Sequence, residues 1–148
     1  MTSSEGVKSA EPVTSAEAVF HALADLGYRP KMRDNADTKE VFIFDFRASG
    51  YGVRVYSPMD DKDFVQIAIY SCYRYGSDDE RVRADQHCNA LTRDVKMAKV
   101  IVDYDHNDVD VIVEMFADRC HLQQAHVDRM VDIAVYCADE IRRRMQSA

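Results

Sequence analysis

The stretch VFIFDFRASGYGVRVYS, residues 41–57, leaves the chain little freedom. Apolar and polar residues alternate on both sides of Ser49-Gly50, the period of a half-buried strand, and the pair between them suits a two-residue hairpin turn. With Ser49 and Gly50 in the loop, Phe44 faces Val55, Phe46 faces Val53, and Asp45 falls opposite Arg54. The apolar pairs then share one face and the charged pair the other. A one-residue slip would turn Asp45 and Arg54 toward the core, so the register is strongly specified. A third strand, DFVQIAIYSCY at 63–73, follows the turn-rich SPMDDK. A sheet with one apolar face must be covered by another layer.

Three helical segments supply that layer. TSAE at 14–17 is a capping box, in which the Thr14 hydroxyl takes a free N–H and Glu17 reaches back. Ala16, Val19, Phe20, Leu23 and Leu26 follow at helical spacing, and Gly27 suits the left-handed stop. SDDE at 77–80 opens a second helix, whose expected stripe is Ala84, Cys88, Leu91, Val95 and Ala98. The third covers roughly 122–145, with Val127, Met130, Ala134, Cys137, Ile141 and Met145 buried and RRR at 142–144 near the negative end of its dipole. Two more strands are expected at about 99–104 and 109–116. The order α-β-β-β-α-β-β-α with short connections predicts a single α+β domain over residues 13–148, an antiparallel sheet packed against helices. Residues 1–12, small and polar, are expected to form a disordered tail.

DYDHNDVDVIVE, residues 103–114, poses the sharpest functional question. Asp103, Asp105 and Asn107 stand where a calcium loop carries its first three ligands, and Glu114 stands at its twelfth position. That loop needs glycine at position six and a helix on each side. Position six is Asp108, and the flanks KVIVDY and VDVIVEM alternate with period two. A hairpin explains more. With His106-Asn107 as a two-residue loop, Tyr104 faces Val109, Val102 faces Val111 and Val100 faces Val113. On the other face Ile101 opposes Ile112, Lys99 opposes Glu114, and Asp103 opposes Asp110 as a like-charge pair. No tight calcium or zinc site is expected.

The formal net charge of −7 argues against a nucleic-acid partner, which requires basic surface. No apolar run approaches the length of a membrane span, and the N-terminus lacks the pattern of a secretory signal. Cys72, Cys88, Cys120 and Cys137 form no CxxC pair, so reduced thiols and a cytoplasmic setting are expected. Cys72, Cys88 and Cys137 read as buried, and Cys120 as the exposed thiol. His87-Cys88 and Cys120-His121 are adjacent pairs, and adjacent side chains diverge by about 100° on a helix, which suits neither zinc nor a nucleophile–base pair. No phosphate loop, HExxH or nucleophile elbow is present. The sequence therefore offers no catalytic residue, metal ligand set or cofactor motif. A Cys120/His121 enzyme, or a ligand pocket lined by Tyr70, Tyr73 and Tyr75, stands as the alternative reading.

ALADLGYRP after the first helix, the three-strand block VFIFDFRASGYGVRVYSPMDDKDFVQI, and CNALTRDVKMAKVIVDYDHNDVDVIVEM resemble the YbjN family of bacterial proteins. The last stretch is the most specific, with Asn89 in the second helix, Lys99 entering the next strand and an acidic hairpin after it. Thr92-Arg93 departs from a second asparagine common in that family. The resemblance implies the fold of type III secretion chaperones, an acidic and often dimeric domain without catalytic residues, and a regulatory role in bacterial signalling or stress. The related chaperones are non-enzymatic dimers that bind a segment of another protein. The expected function is thus a protein-binding or regulatory module, a homodimer with a further protein partner. Its expected surface is the outer hairpin face: Ile101, Ile112 and Phe116 at the centre, Lys99 and Glu114 at the rim.

Overall fold

A computed structural model describes residues 11–33 and 40–147 of the chain. Of the tail expected over residues 1–12, residues 1–10 lie outside the described part. The elements follow the expected order with one addition. Helix α1 spans Ser15–Asp25, followed by the short strand β1, Lys31–Met32. Strands β2, Val41–Ala48, β3, Tyr51–Pro58, and β4, Phe64–Arg74, precede helix α2, Asp78–Asp94. Strands β5, Ala98–Asp103, and β6, Asp108–Phe116, lead into helix α3, Gln124–Gln146. The six strands form one antiparallel sheet in the order β1-β2-β3-β4-β6-β5.

Both N-terminal caps form. Thr14 Oγ1 accepts the Glu17 N–H at 3.1 Å, and the Glu17 carboxylate returns to the Val13 N–H at 2.9 Å. The start of α1 is also fixed to the sheet, because Ser57 Oγ accepts the Ala16 N–H at 2.8 Å and donates to the Phe64 carbonyl at 2.5 Å. At α2, Ser77 Oγ accepts the Glu80 N–H at 3.2 Å, but the Glu80 side chain turns instead to the Tyr73 hydroxyl. α2 ends at Asp94, so Val95 and Ala98 do not extend its stripe as expected; Val95 is the extended C-cap and Ala98 opens β5. Thr92 Oγ1 accepts the Val100 N–H at 2.9 Å and donates to the Val100 carbonyl at 3.1 Å, tying the helix to that strand. The α3 stripe is buried as read, and Val131 and Ala138 join it. At its C-terminal end the Arg83 guanidinium donates to the carbonyls of Arg144, Met145 and Ser147.

The β2–β3 register is the one the alternation predicts: Phe44 opposite Val55, Phe46 opposite Val53, Asp45 opposite Arg54. Ser49 and Gly50 take positive φ, +52° and +85°, as a two-residue hairpin turn requires. The β5–β6 register differs from expectation by two residues. Val102 faces Val109, Val100 faces Val111, Ala98 faces Val113, and Asp103 faces Asp108. The turn is four residues long, Tyr104–Asn107, because side chains build it. Asp103 Oδ1 accepts the N–H groups of Asp105 and His106, and Asn107 takes φ +54°. Ile101 therefore opposes Asp110, not Ile112, and Lys99 opposes Ile112. A slip of two keeps every residue on its expected face.

One face of the sheet carries the core. Phe44, Phe46, Val53, Val55, Val65, Ile67, Ile69, Val100, Val109, Val111 and Val113 are buried with the inward residues of all three helices. Apart from Cys72, where a bulge in β4 shifts the alternation, no strand residue of the opposite parity belongs to this cluster, so the other face has no helix over it among the described residues. Each large apolar side chain so buried contributes about 1.5–3 kcal/mol relative to leaving it in water. Among the described residues no helix is long and apolar enough to cross a membrane.

Candidate functional site

The helix-free face brings together the five surface residues read from the sequence. Lys99 and Ile101 come from β5; Ile112, Glu114 and Phe116 come from β6 at alternate positions. Phe116 is 74% exposed and Ile101 43%, while Ile112 is half-buried. Lys99 does not oppose Glu114, but its ammonium reaches diagonally to Glu114 Oε1 at 2.7 Å. That carboxylate raises the Lys99 pKa.

The sheet order extends this apolar centre in a way the hairpin alone did not reveal. β4 pairs with β6, so Phe64 lies opposite Phe116 and their rings meet edge-on at 5.5 Å. Tyr56 of β3 packs edge-on against Phe64 at 6.3 Å. Tyr70 lies further along β4, its ring under the Arg54 guanidinium and its hydroxyl accepting from Gln66. The centre thus crosses four strands, and pairing order, which the sequence does not print, decides that.

The two ends of this face carry opposite charge. At the β1–β3 end an open groove of about 760 Å³ is lined by Arg29, Lys31, Arg47 and Arg54 with Asp45 as the one acid. Asp45 holds a fork of two cations, Arg33 at 2.9 Å and Arg54 at 3.1 Å. At the β5–β6 end stand Asp103, Asp108, Asp110 and Glu114 against Lys99. Asp103 and Asp108 oppose each other directly. His106 Nδ1 lies 2.7 Å from Asp103 Oδ2; the pair raises the histidine pKa and lowers that of the aspartate.

Ser71 ties this acidic end to β4. The β4–β6 register breaks between Ile69 and Tyr73, and Ser71 sits in that bulge with φ +54°. Its N–H donates to Asp110 Oδ1 at 2.8 Å and its hydroxyl to Asp108 Oδ2. Burial raises the Asp110 pKa, opposed by the Ser71 N–H and reinforced by the charges of Asp108 and Asp103. The bulge also separates the tyrosines expected to line one pocket. Tyr70 lies on the helix-free face, Tyr73 packs against the core and bonds Glu80, and the Tyr75 side chain is buried. The readable sign of the bulge is a phase slip in IAIYSC, where the apolar beat moves from Ile69 to Cys72.

Cys120 and His121 do not form a nucleophile–base pair. His121 Nδ1 faces Asp118 Oδ2 at 2.8 Å, and Cys120 Sγ donates to Glu11 at 3.8 Å. Cys120 is exposed as read, and local desolvation with the charges of Glu11 and Asp118 pushes its thiol up, away from thiolate. Cys72, Cys88 and Cys137 are buried, and burial pushes their thiols to about 12, 12 and 11.

No family model matches the chain, and no curated protein matches its sequence. Among solved structures, one described as an uncharacterized protein from Methanothermobacter thermautotrophicus is similar in fold. The TM-score is 0.66 at 14% identity, over 89% of this chain and 96% of that one. The shared property is the fold.

Proposed function

We propose that this chain is a non-enzymatic protein-binding module that acts through its helix-free sheet face, first by pairing with a second copy of itself. One observation carries the reading: Tyr56, Phe64, Ile101, Ile112 and Phe116 give the helix-free face an apolar surface from β3 to β5, with a basic end at β1–β3 and an acidic end at β5–β6 of the same face. An apolar centre with a charged rim is the anatomy of a protein interface. Oppositely charged ends suit a two-fold axis running along the strands, which lays the β1–β3 end of one copy over the β5–β6 end of the other. Aligned packing of two sheets is the common geometry for such faces. The regulatory role, in bacterial signalling or stress and in the cytoplasm, rests on the sequence resemblance to the YbjN family, as does a further protein partner.

Phe64→Glu and Phe116→Glu test the surface. Each should give a monomer by light scattering with an unchanged circular dichroism spectrum, because a charge at the centre of a paired face stays unsatisfied. A wild-type chain that remains monomeric at high concentration would overturn the self-pairing.

A further inference from the structure

We infer that Asp103, Asp108 and Asp110 form a binding site for a hard divalent cation, calcium ahead of magnesium. The inference stands on the geometry of the acidic end itself and not on the proposed pairing of copies. One carboxylate oxygen from each residue lies within 4.8 Å of the others. Asp103 and Asp108 are held face to face by the β5–β6 register, and Asp110 follows on the same side of β6. Calcium takes oxygen ligands at about 2.4 Å, so two ligands across the ion stand about 4.8 Å apart. Magnesium needs a tighter octahedron, at about 2.1 Å. The donor set is oxygen alone, which disfavours zinc.

The second observation is the set of polar atoms left without partners. Asp108 is 2% exposed; its Oδ2 accepts the Ser71 hydroxyl, but its buried Oδ1 has no donor. Among the described residues one other buried side-chain polar atom lacks a partner, the Tyr75 hydroxyl. Tyr75 follows β4 and is tied to the turn by its backbone: its N–H donates to the Asn107 carbonyl, and Asp103 and Asp108 are among the charges acting on its side chain. A buried carboxylate oxygen without a partner is costly and calls for a counter-charge.

The neighbouring cations do not supply it. Lys99 is engaged by Glu114, and His106 reaches Asp103 alone. Arg74 stands opposite Asp108 across β4–β6, yet among the described residues it makes no ion pair with any of the three. Asp103, its side chain 28% exposed, forms the mouth, and Asp108 and Asp110 form the floor. This is not the twelve-residue calcium loop that the sequence mimics. Asp105 and Asn107 are not part of the cluster, and Glu114 lies four residues beyond Asp110. Three carboxylates completed by water place the affinity on the order of 10⁻⁴ to 10⁻³ M, the weak end of calcium sites.

The test uses the full chain freed of metal by chelation, at constant ionic strength. About 10 mM calcium should raise the melting temperature by several degrees, and magnesium by less. Terbium should give tyrosine-sensitised luminescence that calcium displaces. Asp108→Asn should raise the melting temperature of the metal-free chain, by removing a buried repulsion, and abolish both metal responses. Asp110→Asn should also abolish them and serves if the first variant does not fold. Asp105→Asn and Glu114→Gln should keep the full response. Absence of any calcium shift and terbium signal in the wild-type chain would overturn the site. So would a response that survives Asp108→Asn and Asp110→Asn, or one lost in Asp105→Asn and Glu114→Gln while they persist.

Discussion

The two hairpins of the sheet look alike in sequence and are built on different principles. β2–β3 turns on two residues whose backbone conformation does the work, Ser49 and Gly50, both at positive φ. β5–β6 turns on four, and the Asp103 carboxylate organises them by accepting two N–H groups. A backbone turn is legible, because few residue pairs tolerate two left-handed positions in succession. A side-chain turn is not, because Asp-Tyr-Asp-His-Asn-Asp suits several loops of different length. The cores under the two hairpins differ as well. Phe42, Phe44 and Phe46 form an aromatic row with Phe20 against Phe44, whereas β5 and β6 contribute mainly valines.

That difference in packing predicts the largest effect. Phe44→Ala should destabilise the chain by about 3–5 kcal/mol, and Val111→Ala by about 2 kcal/mol, in urea unfolding followed by circular dichroism. Equal losses would contradict an aromatic centre under the first hairpin. Turn chemistry comes next. Gly50→Val places a β-branched residue at φ +85° and should cost about 1–2 kcal/mol. Asn107→Gly, at φ +54°, should stay within about 0.5 kcal/mol of wild type. A reversed order would mean that the second turn, not the first, is the one specified by its backbone.

The alternation that gave the first register also placed the second on its correct faces, since an error of two residues preserves parity. For that reason Lys99, Ile101, Ile112, Glu114 and Phe116 share the helix-free face even though the pairs named among them were wrong. What stayed hidden depended on long-range pairing. Nothing local says that β4 lies between β3 and β6, so the contribution of Tyr56 and Phe64 to the apolar centre could not be read. The bulge at Ser71, which takes Tyr70 away from Tyr73 and joins Asp108 to Asp110, left the phase slip in IAIYSC as its one local sign. The separation of charge followed from the same sheet order. Arg29, Lys31 and Arg47 are far from the hairpin acids in sequence, and a net charge of −7 conceals a basic end.

The smallest effect concerns pH and only the second hairpin. The His106 pKa is raised by Asp103, so its contribution is full below the ordinary histidine value of about 6.5 and fades as pH rises through the raised value. The lowered Asp103 value contributes above about 3.9 and fades as pH falls through it. The turn should therefore be tightest between those limits. A proton-detected titration of metal-free protein should show His106 above an ordinary histidine, returning toward about 6.5 in Asp103→Asn. No change in the mutant would remove Asp103 as the organiser of the turn.

The central claim, that opposite ends of one open face meet across a two-fold axis, has a direct test by sedimentation equilibrium. One variant neutralises the basic end with Lys31→Glu and Arg47→Glu; a second neutralises the acidic end with Asp105→Lys and Glu114→Lys. Alone, each should be a folded monomer, because neither contact of its pair keeps two oppositely charged ends. Mixed in equal amounts they should form a dimer, because one contact again joins an unaltered basic end to an unaltered acidic end. A mixture that stays monomeric beside a dimeric wild type, or variants that dimerise alone as well as wild type does, would contradict the account.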